Sequence, residues 1–139
     1  MCPSVGRQAK RLDGKFSIVV QETGEVIATE VLFARTFFQR LKGLMFKERM
    51  DDGCALILEP CNSVHTFFMR FPIDVAFVSK EGRVLEVIKG MKPFRITRII
   101  KGARYVIETP GGTLKALNRG QHVSFMNNKR EGFKNEKIN

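Results

Sequence analysis

The chain has 139 residues, 43% of them hydrophobic and 27% charged, the balance of one soluble globular domain long enough to bury a core. No apolar run approaches the ~20 residues needed to span a bilayer. Twenty-four Lys and Arg against fourteen Asp and Glu leave a net charge of +10, which favours solubility and attraction to polyanions but does not bear on fold.

Residues 1–14 are polar, basic and aperiodic, the pattern of a flexible tail. "KFSIVV" (15–20) and "GEVIATEVLFA" (24–34) read as two strands around the turn "QETG". The pattern then changes: Phe37, Phe38, Leu41, Leu44 and Met45 recur at helical spacing, which predicts one short helix near 36–46. Thr36 stands as its N-cap, and Gly43 marks a close backbone approach or an early helix end. Six more short apolar runs follow, at 55–60, 63–71, 73–79, 83–89, 104–110 and 121–125, with a hairpin signal at Gly82 and turns in "ETPGGT" and "LNRG". Many strands, one helix and no regular alternation of the two predict an all-β domain over 15–126. The expected architecture is an antiparallel sandwich or a partly closed barrel. Residues 127–139 form a second polar, basic tail.

Chemistry-bearing side chains gather in "PCNSVHTFFMRFPIDVAFV" (60–78). Cys61, His65 and Met69 are spaced by four, a soft ligand set on a helix. β-Formers surround them, however, and on a strand four residues span ~13 Å, too far to share one ion. No metal site is therefore expected, and nothing in the sequence calls for a cofactor. Strand periodicity would place His65, Phe67, Met69 and Phe71 on one core face, with His65 neutral and bonded to backbone. Arg70 and Asp74 would share the opposite face, where a kink at Pro72 would let them meet as an anion site. Cys61, His65 and Asp74 also make a catalytic set on paper, although no signature surrounds Cys61. Glu108 ends an apolar strand and reads either as a solvent-facing carboxylate or as a second acid near Asp74. Cys2, Cys54 and Cys61 are an odd count without framework spacing, which argues for a reducing compartment and a cytoplasmic setting.

"GLMF" (43–46), Gly53, "FFMR" (67–70), "PIDVAF" (72–77) with Gly82 and Val84, Pro93, "YVIETPGG" (105–112) and Gly120 occur in an order that resembles domain-of-unknown-function family 192. The resemblance runs from about Ala34 to Phe125. It implies a mainly β domain of the sandwich or barrel kind and does not imply an activity, since the family is named for lacking one. One departure is a short connection: Met69-Arg70 reaches Pro72 through Phe71 alone, where the commoner pattern has several more residues.

The stretch 89–104 carries Lys89, Lys92, Arg95, Arg98, Lys101 and Arg104, every third residue, with no acid between them. Spacing by three fits neither a strand face nor a sustained helix face, so a long loop is expected. Such a ladder suits a salt-paired surface, an acidic partner or weak nucleic-acid binding, although only Phe94 and Tyr105 are near for stacking. The leading expectation is a monomeric, non-enzymatic β module that binds a small anionic ligand or a partner through Cys61, His65, Met69, Arg70, Asp74 and Glu108. The rival is a small hydrolytic or thiol enzyme using His65 with Cys61 or Asp74.

Overall fold

The structure, a computed structural model, describes residues 10–11, 16–127 and 134–136. The two expected tails lie mostly outside these residues. The parts described are short paired strands, β1 (Lys10–Arg11) and β10 (Lys134–Glu136).

Between them, Phe16–Val20 forms β2, Val26–Ala28 β3 and Glu30–Ala34 β4. The helix α1 spans Phe37–Lys42. Cys54–Leu58 is β5, Ile73–Ser79 β6, Val84–Met91 β7, Ala103–Pro110 β8 and Val123–Asn127 β9. They build a six-stranded sheet in the order β1-β4-β5-β8-β6-β7 and a four-stranded sheet in the order β10-β9-β2-β3.

The domain is thus strand-dominated, with two sheets and one short helix, as expected, and the sheets do not close into a barrel. The run 24–34 is not one strand. It breaks at Thr29, and its halves pair in different sheets. The larger sheet is also not purely antiparallel, because β4 and β5 run parallel from Glu30↔Cys54 to Ala34↔Leu58. A parallel pair requires a crossover, and α1 with the segment after it supplies one.

Both faces of the larger sheet are covered. Ile18, Phe33, Ile57, Tyr105, Ile107 and Phe125 belong to the core on one face, where the smaller sheet packs. Leu56, Leu58, Val75, Phe77 and Val106 belong to the other, covered by Leu44, Met50, Val64, Met69 and Ile100 from connecting segments. Every residue of β5 and β6 is consequently buried, which is why both read as unbroken apolar runs.

The helix differs from expectation in its packing. Thr36 caps it in a full capping box with Gln39, and Gly43, at φ 44°, ends it. No residue of α1 is buried. The early stop turns Leu44 into the core and leaves Phe37, Phe38 and Leu41 exposed.

The segment 63–71 is not a strand; among its residues only His65 makes a bridge, to Ile96. Thr66 shows why. Fully buried, it donates its hydroxyl to the Lys92 carbonyl (2.6 Å), and the Thr66 hydroxyl oxygen accepts from the Arg95 N–H (2.9 Å). Its own N–H donates to the Arg95 carbonyl and its carbonyl accepts from the Phe94 N–H. Val64 and Thr97 are laced together in the same way. Two loops, 60–71 and 92–100, are therefore tied into one cover over the sheet. Thr66 and Val64 face inward while His65 and Phe67 face out. Phe68, at φ 62°, then shifts the phase so that Met69 returns to the core. Among the described residues no helix is long and apolar enough to cross a membrane.

Candidate functional site

Between this cover and the sheet lies a cleft of about 360 Å³, lined by the C-terminal half of α1, Gly43–Met45, the loop 60–65, Met69 and Glu108. Strand periodicity puts Glu108 there. On β8, Tyr105 and Ile107 face the smaller sheet, so Val106 and Glu108 face the loop cover. Glu108 is 3% exposed, and its carboxyl makes no hydrogen bond or ion pair with any described residue. The nearest constraint is Gly43, where a Cβ would lie 3.9 Å from Oε1. Burial, with no partner to offset it, pushes the carboxyl from an ordinary 4.5 up to about 8. At neutral pH the cleft floor is therefore an uncharged acid, able to donate a hydrogen bond.

His65 sits at the rim with both ring nitrogens engaged by backbone. The Phe67 N–H donates to Nδ1 (3.2 Å) and Nε2 donates to the Leu41 carbonyl (3.2 Å). These contacts select the neutral Nε2–H tautomer and pin the loop to α1. Cys61 is half-buried and free, and its thiol donates to the Ser63 carbonyl (3.1 Å). Burial pushes that thiol up, the Ser63 contact pulls it down and the Glu108 charge pushes it up again. No hydrogen bond joins Cys61 to His65, so the arrangement lacks the thiolate–imidazole pair of an activated cysteine. Met69 is buried in the cleft wall, and Arg40 reaches the rim.

Asp74 belongs elsewhere. It is buried on the opposite face of the sheet from Glu108, beneath the turn that follows β8. Its Oδ1 accepts from the Gly90 N–H (2.8 Å), and its Oδ2 accepts from the N–H groups of Gly112 and Leu114 (2.9 Å each). It fastens that turn to β6 and β7, and it meets neither Arg70, which is exposed, nor Glu108. Cys54 is disulfide-bonded, which removes the odd-cysteine argument for a reducing compartment. Among the described residues no three His, Cys, Asp or Glu side chains converge on a common point.

The basic ladder is divided by the fold. Lys89, on β7, donates to the Lys115 carbonyl; Arg98 pairs with Glu86 (3.1 Å); Arg104, on β8, lies 3.7 Å from Glu59. Lys92, Arg95 and Lys101 have no acidic partner among the described residues. Gly43 is the helix end that its place in the helical stripe led the sequence reading to expect. Thr66, which ties the cover together, escaped it, its only signal being a threonine inside an apolar run.

The model of domain-of-unknown-function family 192 ("Uncharacterized ACR") matches residues 18–125. A UPF0127 protein of Thermococcus sibiricus is 34% identical over 105 residues, covering 73% of this chain and 68% of its own length. A UPF0127 protein of Pyrococcus furiosus is 39% identical over 98 residues, covering 68% and 84%. Two crystal structures share the fold. A candidate transcription regulator from Sinorhizobium meliloti 1021 superposes with TM-score 0.72 at 18% identity, over 84% of this chain and 95% of that one. A protein of unknown function from Novosphingobium aromaticivorans gives TM-score 0.69 at 19% identity, over 86% and 94%. No catalytic activity is established through these relatives. On the extent of these matches, the chain belongs to domain-of-unknown-function family 192.

Proposed function

We propose that the protein is a monomeric small-ligand-binding β module whose ligand seats in the cleft between α1 and the 60–65 loop. The observation that carries this reading is Glu108, a buried acid with no hydrogen-bond or ion-pair partner among the described residues, at the floor of a cleft of mixed polar and apolar lining. No described residue partners this carboxyl, and an acceptor atom of a ligand seated in the cleft would. The volume lies at the lower end of those that hold small molecules. A protonated acid at the floor and Arg40 at the rim favour a small carboxylate, taken up with its charge against the donor. Leu44, Leu58 and Met69 would contact its apolar part.

The thiol-enzyme alternative is not favoured, because Cys61 and His65 each bond to backbone rather than to one another. Nucleic-acid binding along the whole ladder is disfavoured by the ion pairs that hold Arg98 and Arg104. The disulfide at Cys54 weighs against the cytoplasmic reading.

The test is NMR titration with short mono- and dicarboxylic acids. Shifts should concentrate at residues 43–45, 61–65 and 108, with affinity falling as pH passes about 8 and Glu108 ionises. Glu108→Gln keeps a donor and should flatten that pH dependence. Shifts scattered over the surface, or an unchanged pH profile in the variant, would refute the assignment.

A further inference from the structure

Outside the cleft, three phenylalanines stand out by backbone conformation. Phe46, Phe68 and Phe94 are the only non-glycine residues among those described with positive φ, at 64°, 62° and 61°. For a bulky side chain this left-handed region is unfavourable, and such strain persists only where the surrounding structure imposes it. All three are exposed, at 57%, 51% and 56%, so core burial does not explain why phenylalanine stands there. They come from three separate segments and yet form one row. Phe46 stacks on Phe68 with centroids 5.4 Å apart, and Phe68 meets Phe94 edge-on at 5.7 Å. The Phe46 N–H donates to the Phe68 carbonyl, and the Thr66 clasp holds Phe94 beside them. Phe67, stacked on His65, and Ile96, bridged to His65 and 69% exposed, extend the apolar surface.

The charge around this row has one sign for the most part. Lys47 and then Glu48 follow Phe46, Arg70 lies two residues after Phe68, Arg95 follows Phe94 and Lys92 lies two residues before it. Burial and the nearby charge of Lys42 both lower the Lys47 pKa. A rim that is basic apart from Glu48 opposes pairing of this face with a second copy. Nucleic acid fits less well than lipid, because Phe46 and Phe68 already stack on one another and the exposed Ile96 offers a base nothing to stack on. Apolar tips set among Lys and Arg match the boundary between acyl chains and anionic headgroups. We propose that this face docks the domain peripherally on an anionic lipid bilayer, with Phe46, Phe68 and Phe94 entering the acyl boundary.

The chain contains no tryptophan, so Phe68→Trp supplies a single reporter. With mixed phosphatidylcholine–phosphatidylserine vesicles its emission should shift to the blue and be quenched by bromine-labelled acyl chains, with binding weakened by salt and absent from pure phosphatidylcholine. The variant F46N/F68N/F94N puts a residue that tolerates the left-handed region at each position. It should lose vesicle co-sedimentation at least tenfold while its melting temperature stays level or rises, and Lys92→Gln should weaken binding about fivefold. If Phe68→Trp does not fold, Phe94→Trp reports on the same row.

The proposal is overturned if wild type fails to sediment with the serine-containing vesicles at low salt, or if the triple asparagine variant sediments like wild type. It is also overturned if the reporter is quenched by single-stranded oligonucleotide instead of brominated lipid, which assigns the face to nucleic acid. A wild-type dimer in solution that the triple variant abolishes assigns it to a second copy.

Discussion

Glu108→Gln isolates the energetic consequence of a carboxyl buried without a partner. In the unfolded chain this acid ionises near 4.5, and in the fold burial holds it near 8. A group whose folded pKa is raised destabilises the fold as pH climbs through the interval between the two values, because the unfolded state releases its proton first. Each pH unit in that interval costs at most ~1.4 kcal/mol. The penalty is therefore below ~1 kcal/mol near pH 5, reaches roughly 3 kcal/mol near pH 7 and levels off above about pH 8 at ~4–5 kcal/mol. Glutamine keeps the shape and cannot ionise.

Urea unfolding of both proteins at a series of pH values gives the difference directly, since every other titrating group cancels in the comparison. The variant should match wild type near pH 5 within about 1 kcal/mol and exceed it by roughly 3 kcal/mol near pH 7. Curves that stay parallel from about pH 5 to 9 would refute the account of Glu108 as a partnerless buried acid. So would a variant less stable than wild type at the alkaline end.

Asp74→Ala strands three backbone N–H groups beneath the turn after β8. It should cost ~3–5 kcal/mol in urea unfolding, and a loss under ~1 kcal/mol would show that the turn holds itself. Thr66→Val removes the hydroxyl that links the two loops. Hydrogen exchange should then accelerate in 60–71 and 92–100 while β5 and β6 keep their protection; uniform acceleration would contradict a local clasp. Gly82→Ala forces a Cβ to within 2.7 Å of the Val123 carbonyl oxygen at φ 91°. A fall in stability of at least ~2 kcal/mol is expected, and a neutral result would remove the close approach as the reason for glycine. Cys61, its thiol pushed up by burial, should alkylate with iodoacetamide more slowly near pH 8 than a cysteine in an unstructured peptide. Faster reaction would restore the thiol-enzyme reading.

The amino-acid sequence alone determined most local elements, because each is written in neighbouring residues. Thr36 and Gln39 cap α1, period-2 and unbroken apolar runs mark the strands, and Gly82 turns a hairpin that no Cβ could enter. The resemblance to the family was legible for the same reason, as ordered motifs along the chain. The candidate residues were legible as types but not as neighbours. Cys61, His65 and Glu108 share a cleft because β8 places Glu108 on the loop-covered face. Asp74, one ladder step away, points through the sheet to the opposite side. One residue of register separates a buried partnerless acid from a saturated structural one, and register belongs to the assembled sheet.

The segment 63–71 misled because its β-forming composition outweighs a constraint that lies about thirty residues away, where Lys92 and Arg95 meet the Thr66 hydroxyl. The row of Phe46, Phe68 and Phe94 has no signature along the chain at all. Only the meeting of three loops, each holding its phenylalanine in a strained backbone conformation, brings the rings together. Long-range hydrogen bonds and burial supply the free energy for that strain, and neither exists until the sheet they cover has formed.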